Sequence, residues 1–149
     1  MKILIVIIAI LGVELKILLN SEEKKVKRVI ETFFNAYHSK DSITLKKLAF
    51  SDFELRSSSL LNESAKLSSV GFYDFVKIVS NRNNSPKWEE EILSYEINVD
   101  GTLAVAWTPY VFRINDKISH CGSNSFTLHK VGGEWKIIQI IDSRRKDCD

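Results

Sequence analysis

The chain has 149 residues, with 44% hydrophobic and 27% charged side chains. That size and balance describe one globular domain and exclude a disordered chain. Twenty-one basic and 19 acidic residues leave a net charge of only +2, with no long basic block, so the footprint of a nucleic-acid binder is missing.

Lys2 followed by the apolar run Ile3–Val13 has the pattern of a secretory signal peptide. Glu14 and Lys16 interrupt it, Leu15 and Ile17–Leu19 resume it, and no small-x-small cleavage site follows. An anchor through Leu19 would hold two charges in lipid at a cost of several kcal/mol. The readings rank as export to a periplasmic or extracellular space, an uncleaved anchor, then a helix packed on the domain. Any membrane association would use residues 3–19 alone. Residues 1–20 are therefore set aside, and 21–149 are read as the domain.

Ser21 is the expected N-cap of a helix, with Glu22 and Glu23 in its first turn. Val26, Val29, Ile30, Phe33, Phe34 and Tyr37 recur at three- and four-residue spacing, which is one apolar helical face. The helix should end near His38–Lys40, leaving His38 a solvated C-terminal residue. Asp41 or Ser42 can cap a short second helix through Leu45, Leu48 and Ala49. Phe50–Leu61 alternates like a strand, with Ser57-Ser58-Ser59 at its end or in a loop; residues 62–70 are ambiguous. Gly71 opens a helix carrying Phe72, Phe75, Val76 and Val79. Asn81–Pro86 has loop composition.

Trp88–Val99 reads as one strand. Asp100-Gly101 then predicts a type I′ hairpin turn into the strand Leu103–Ile114. Asn115-Asp116 turns into Lys117–Lys130, and Val131-Gly132-Gly133 into Glu134–Asp142. In that last strand Ile137, Ile138, Ile140 and Ile141 suggest burial on both faces. The fold class is α+β, a curved antiparallel sheet wrapped around N-terminal helices.

Strand alternation puts Ile118, His120, Gly122, Asn124, Phe126 and Leu128 on one face, read as inward, unless a bulge at Gly122 shifts the register. Pro109 cannot donate to a ladder, so it marks an edge or bulge beside Trp107 and Tyr110, which could then turn inward. A buried His120 needs a polar partner, and Asp142 on the adjacent strand is the candidate. The sharp reading is an acid/base pair of His120 and Asp142, with Tyr110 as hydrogen-bond donor and Arg144 as anchor for an anion. The plainer one pairs Asp142 with Arg144 and leaves His120 a satisfied core histidine. Trp107, Tyr110, Asn124, Phe126 and Arg144 would contact a ligand. Trp88, Trp135, Phe33, Phe34, Phe72 and Phe75 read as packing. Cys121 and Cys148 could pair if the chain is exported. Their spacing does not suggest zinc, and neither metal nor cofactor is expected.

The element order, with Ala106-Trp107-Thr108-Pro109-Tyr110, His120-Cys121-Gly122, Phe126, Gly133-Glu134-Trp135-Lys136-Ile137 and Ile141-Asp142-Ser143-Arg144-Arg145, resembles the nuclear-transport-factor-2-like superfamily. That superfamily includes ketosteroid isomerase, scytalone dehydratase and polyketide cyclases. Within it the chain is most similar to a bacterial branch that carries a lumazine-binding label. The resemblance spans roughly residues 22–148 and implies a cone-shaped fold with a half-apolar pocket. It implies three functions: a domain binding a small apolar or ring-bearing molecule, a cofactor-independent isomerase, dehydratase or cyclase, or a module that forms homodimers through its outer sheet face.

Overall fold

The computed structural model describes residues 2–61 and 64–148, with side chains over 21–60 and 64–148. The expectation of an export signal falls largely on residues 1–20, outside the described side chains. Three helices, α1 (Lys2–Ser39), α2 (Ser42–Leu48) and α3 (Phe72–Asn81), pack on seven strands. The strands are β1 (Glu54–Leu61), β2 (Ser64–Gly71), β3 (Trp88–Ile92), β4 (Glu96–Asp100), β5 (Leu103–Ile114), β6 (Lys117–Val131) and β7 (Glu134–Arg144).

Ser21 lies inside α1 and caps nothing. Glu22 is buried instead of flanking a helix start. Its carboxylate accepts from Trp135 Nε1 (2.8 Å), Lys130 Nζ (2.8 Å) and Lys25 Nζ (2.7 Å). Hydrogen bonds from Lys130, Lys25 and Trp135, in that order, hold its pKa down at about 2. This cluster clamps α1 onto β6 and β7. The expected helical face is buried as read: Val26, Ile30, Phe33, Phe34 and Tyr37 are all in the core. Asp41 caps α2 by accepting from the backbone N–H groups of Ile43 and Thr44.

The sheet is mixed and open, in the order β2-β1-β7-β6-β5-β3, with β4 also on β5. Its antiparallel run was expected; the parallel pairing of β1 with β7 was not. The ambiguous stretch after Leu61 supplies β2, paired antiparallel with β1, so Ser57–Ser59 lie within a strand and not in a loop. Trp88–Val99 is two strands rather than one, and both pair with β5. Pro109 sits where β5 exchanges one partner for the other, between Trp107↔Glu96 and Tyr110↔Ile92. A residue without an N–H is tolerated at that gap although β5 is not an edge strand.

The β4–β5 loop is Gly101-Thr102, and of the two only Gly101 has positive φ (57°), so the expected type I′ turn is not formed. Asn115 and Asp116 have φ of 49° and 64°, as a type I′ turn requires. Two register shifts re-aim side chains. One leaves Ser119 unpaired opposite Phe112/Arg113, turning Ile118 out to solvent at 54% exposure. The other, beside Ile138, puts Ile137 and Ile140 on the same inward face, which explains the isoleucine run without burial on both faces.

Candidate functional site

The concave face of the sheet and the apolar face of α1 do not meet everywhere. Between them lies a cavity of about 550 Å³. Its walls are mostly apolar, and eight of the lining residues are Phe, Tyr or Trp. Phe33, Phe34 and Tyr37 come from α1, Phe75 from α3, Trp88 from β3, Tyr110 and Phe112 from β5, and Phe126 from β6. Phe33, Phe34, Phe75 and Trp88, expected only to pack, therefore face a space a ligand could occupy. Phe72 remains core.

The polar groups cluster at one end: Glu90, Ser119, His120, Asn124, Asp142 and Arg144. Asp142 is buried and multiply held. Ser57 Oγ donates to its Oδ1, and Arg144 Nε donates to its Oδ2 at 2.7 Å. The Tyr110 hydroxyl lies 3.2 Å from Oδ2 and 3.0 Å from the Ser143 carbonyl oxygen, and its single hydrogen can serve either acceptor. Burial and the Asp142 charge push the Tyr110 pKa far up, so the phenol keeps its proton.

Glycine at 122 makes this reach possible. Gly122 pairs with Tyr110 in the β5–β6 ladder, and the tyrosine crosses it to reach β7. A Cβ at 122 would stand 1.7 Å from the Ser143 carbonyl oxygen.

His120 does not pair with Asp142. Its Nδ1 contacts Ser119 Oγ at 3.3 Å, and its ring stacks on Phe112 with centroids 4.8 Å apart. Burial, reinforced by the Arg144 charge, lowers its pKa to about 4, so the imidazole is neutral. The Asp142–Arg144 pair of the plainer reading is present.

Glu90 was missed. It is enclosed by protein yet reachable from the cavity, and Asn124 Nδ2 donates to its Oε1 at 2.9 Å. Burial raises its pKa to about 7, against the Asn124 bond and with help from the Asp142 charge. Strand alternation could have found it, because Glu90 shares a face with Trp88 and Ile92, a carboxyl between two large apolar neighbours. His38 was misread as well. Its Nε2 accepts the Glu90 backbone N–H at 2.9 Å, so it is a fastener between α1 and β3 and not a solvated end.

Of the expected ligand contacts, Tyr110, Asn124, Phe126 and Arg144 line the cavity. Trp107 does not. It lies on the outer face at 47% exposure, because the ladder continues through Pro109 without a bulge and odd-numbered residues of β5 point outward. Cys121 and Cys148 are disulfide-bonded, with Cα atoms 5.7 Å apart.

Solved structures share this architecture. A nuclear-transport-factor-2-like protein of unknown function from Shewanella baltica superposes with TM-score 0.63 at 20% identity, covering 85% of this chain and 96% of that one. One with a cystatin-like fold from Novosphingobium aromaticivorans gives TM-score 0.66 at 14% identity, over 93% and 90% of the two chains. One from Pseudomonas putida gives 0.65 at 16% identity, over 87% and 91%. The chain thus has the nuclear-transport-factor-2-like fold. No family model and no curated protein matches it, so the narrower likeness to the lumazine-labelled branch gains no support.

Proposed function

We propose that the protein binds a small, mostly apolar, ring-bearing molecule in the cavity between α1 and the sheet. The observation that carries this reading is the cavity itself: about 550 Å³, walled by aromatic rings, with its polar groups gathered at one end. That composition suits a ligand whose body is apolar and whose orientation is fixed by a few hydrogen bonds. The disulfide fits an oxidising compartment and so an exported protein. Thermal-shift screening of the full chain against aromatic and alicyclic metabolites tests the reading. A ligand at one hundred times its Kd should stabilise the fold by about 2.7 kcal/mol. A broad panel that leaves the melting temperature unmoved sinks the proposal.

A second reading, a cofactor-independent isomerase, dehydratase or cyclase, is favoured by Glu90. A carboxyl with pKa about 7 facing an apolar cavity can both accept and return a proton at neutral pH. In this version Glu90 carries the proton, while the Tyr110 hydroxyl, committed to Asp142 or the Ser143 carbonyl oxygen, holds the polar end in place. His120 and Asp142 complete the polar end. The test is Glu90→Gln, which should abolish turnover of any substrate found while leaving its binding intact.

A further inference from the structure

We propose that the ligand is an aromatic organic acid, its ring body seated among the phenylalanines and its carboxylate held at the mouth by Arg144, Arg145 and Lys146. This rests on the pocket reading above and names its chemical class.

A second cavity of about 670 Å³ adjoins the first, and His120 and Arg144 line both. Its remaining walls are Ser59, Leu60, Arg145, Lys146 and Asp147. Arg144 is already paired with Asp142, so Arg145 and Lys146, set against Asp147 alone, give this cavity its excess of positive charge beside an apolar space. Low-dielectric walls concentrate such a field and draw anions to the opening.

The cations are exposed but sit on a fixed segment, and Arg145 Nε donates to the Asp147 carbonyl oxygen at 2.9 Å. Cys121 and Arg145 exchange both backbone hydrogen bonds, at 3.0 and 2.9 Å, and the Cys121–Cys148 disulfide closes the same segment onto β6. Lys146 Nζ donates to the Ser119 carbonyl oxygen at 2.8 Å, on the bulge beside His120. Arg144 uses Nε on Asp142, and its guanidinium forms no other hydrogen bond among the described residues. Its outer edge is free for a carboxylate, whose geometry a guanidinium matches.

The ring walls set the other half of the ligand. A full charge carried deep among Phe33, Phe34 and Phe126 would lose its hydration without a partner. An acid group must therefore stop at the mouth while the apolar body enters.

The experiment titrates the full chain with 2-naphthoate and with 2-naphthamide, which share a ring system and differ in charge, by calorimetry at pH 7.5. The expected result is roughly tenfold tighter binding of the naphthoate, the scale of one charge-assisted hydrogen bond, shrinking as salt is raised. In the variant carrying Arg145→Gln and Lys146→Gln, both exposed, the preference should shrink to what Arg144 alone supplies, while naphthamide affinity holds. Arg144→Gln is a second variant, read alongside circular dichroism because it also unpairs Asp142. Equal affinity for the two compounds, or a preference undiminished in the double variant, overturns this inference and leaves the pocket reading standing. Binding of neither compound counts against both.

Discussion

His38, at the end of α1, accepts the backbone N–H of Glu90 through Nε2 at 2.9 Å. The bond requires a neutral imidazole with its proton on Nδ1. It fixes β3 against the helix and so sets where the Glu90 side chain enters the cavity. Burial, with the charges of Arg82 and Lys87, lowers the His38 pKa, while Glu89 works the other way. The sign follows from linkage. The unfolded chain takes up the proton first, so this contribution is complete above pH about 6.5 and is lost as pH falls towards the folded pKa. His38→Ala should cost about 1 kcal/mol at pH 8 and flatten the acid limb below pH about 6.5, measured by urea melts across pH. An unchanged acid limb would remove His38 from this role.

Glu90 acts in the opposite sense. Its folded pKa is about 7 against an ordinary value of 4.5, so the unfolded chain releases its proton first as pH rises. Its contribution to stability is complete below pH about 4.5, declines through the interval to about 7, and is flat beyond. Glu90→Gln should therefore raise the melting temperature by a few degrees at pH 8 and by little at pH 4.5. Carbon-13 NMR of the labelled glutamate carboxyls should show one group titrating near pH 7. A spectrum with every glutamate midpoint near or below 4.5 would refute the assignment.

Gly122 is required by contact, not by φ. Gly122→Ala forces a methyl into the Ser143 carbonyl, and either β6 or β7 must move. The expected loss is about 3 kcal/mol, at the upper end of overpacking costs. Because Tyr110 reaches Ser143 and Asp142 across this position, near-ultraviolet circular dichroism should change with it. A variant with wild-type stability and spectrum would contradict the close approach.

Asp142 is held by Ser57, Tyr110 and Arg144. Ser57→Ala removes one buried bond and should cost about 1 kcal/mol, whereas Asp142→Ala removes the acceptor of all three and should cost about 2 kcal/mol, Tyr110 keeping the Ser143 carbonyl and Arg144 reaching solvent. Chemical denaturation of both variants checks the ratio. Equal losses would mean that Asp142 is not the centre of the network.

Reduction of the Cys121–Cys148 bridge should lower stability by about 3.5 kcal/mol, the loop-closure value for a 27-residue separation. It should also weaken 2-naphthoate binding by loosening the segment that carries Arg145 and Lys146. Calorimetry and melts of Cys148→Ser separate the two effects.

The sequence alone determined the elements whose local pattern is strong. The apolar face from Val26 to Tyr37, the Asp41 cap, the helix after Gly71 and the hairpins from Gly101 onward were legible, because helical spacing and turn residues act within a few positions along the chain. Tyr110, Asn124, Phe126, Asp142 and Arg144 were legible too, as the inward or terminal residues of those strands. Only the tertiary structure decided the rest. The serine-rich β1 pairs in parallel with β7, so its Ser57 meets a carboxylate 85 residues away. The bulges at Ser119 and Ile138 reverse which residues face inward beyond them, and continuous pairing of β5 with β6 through Pro109 keeps Trp107 outside. Glu90 is the middle of three consecutive glutamates, and only the helix, the rings and Asn124 closing round it set it apart. A carboxyl's environment is made by residues distant along the chain, and no local pattern encodes how much water they exclude.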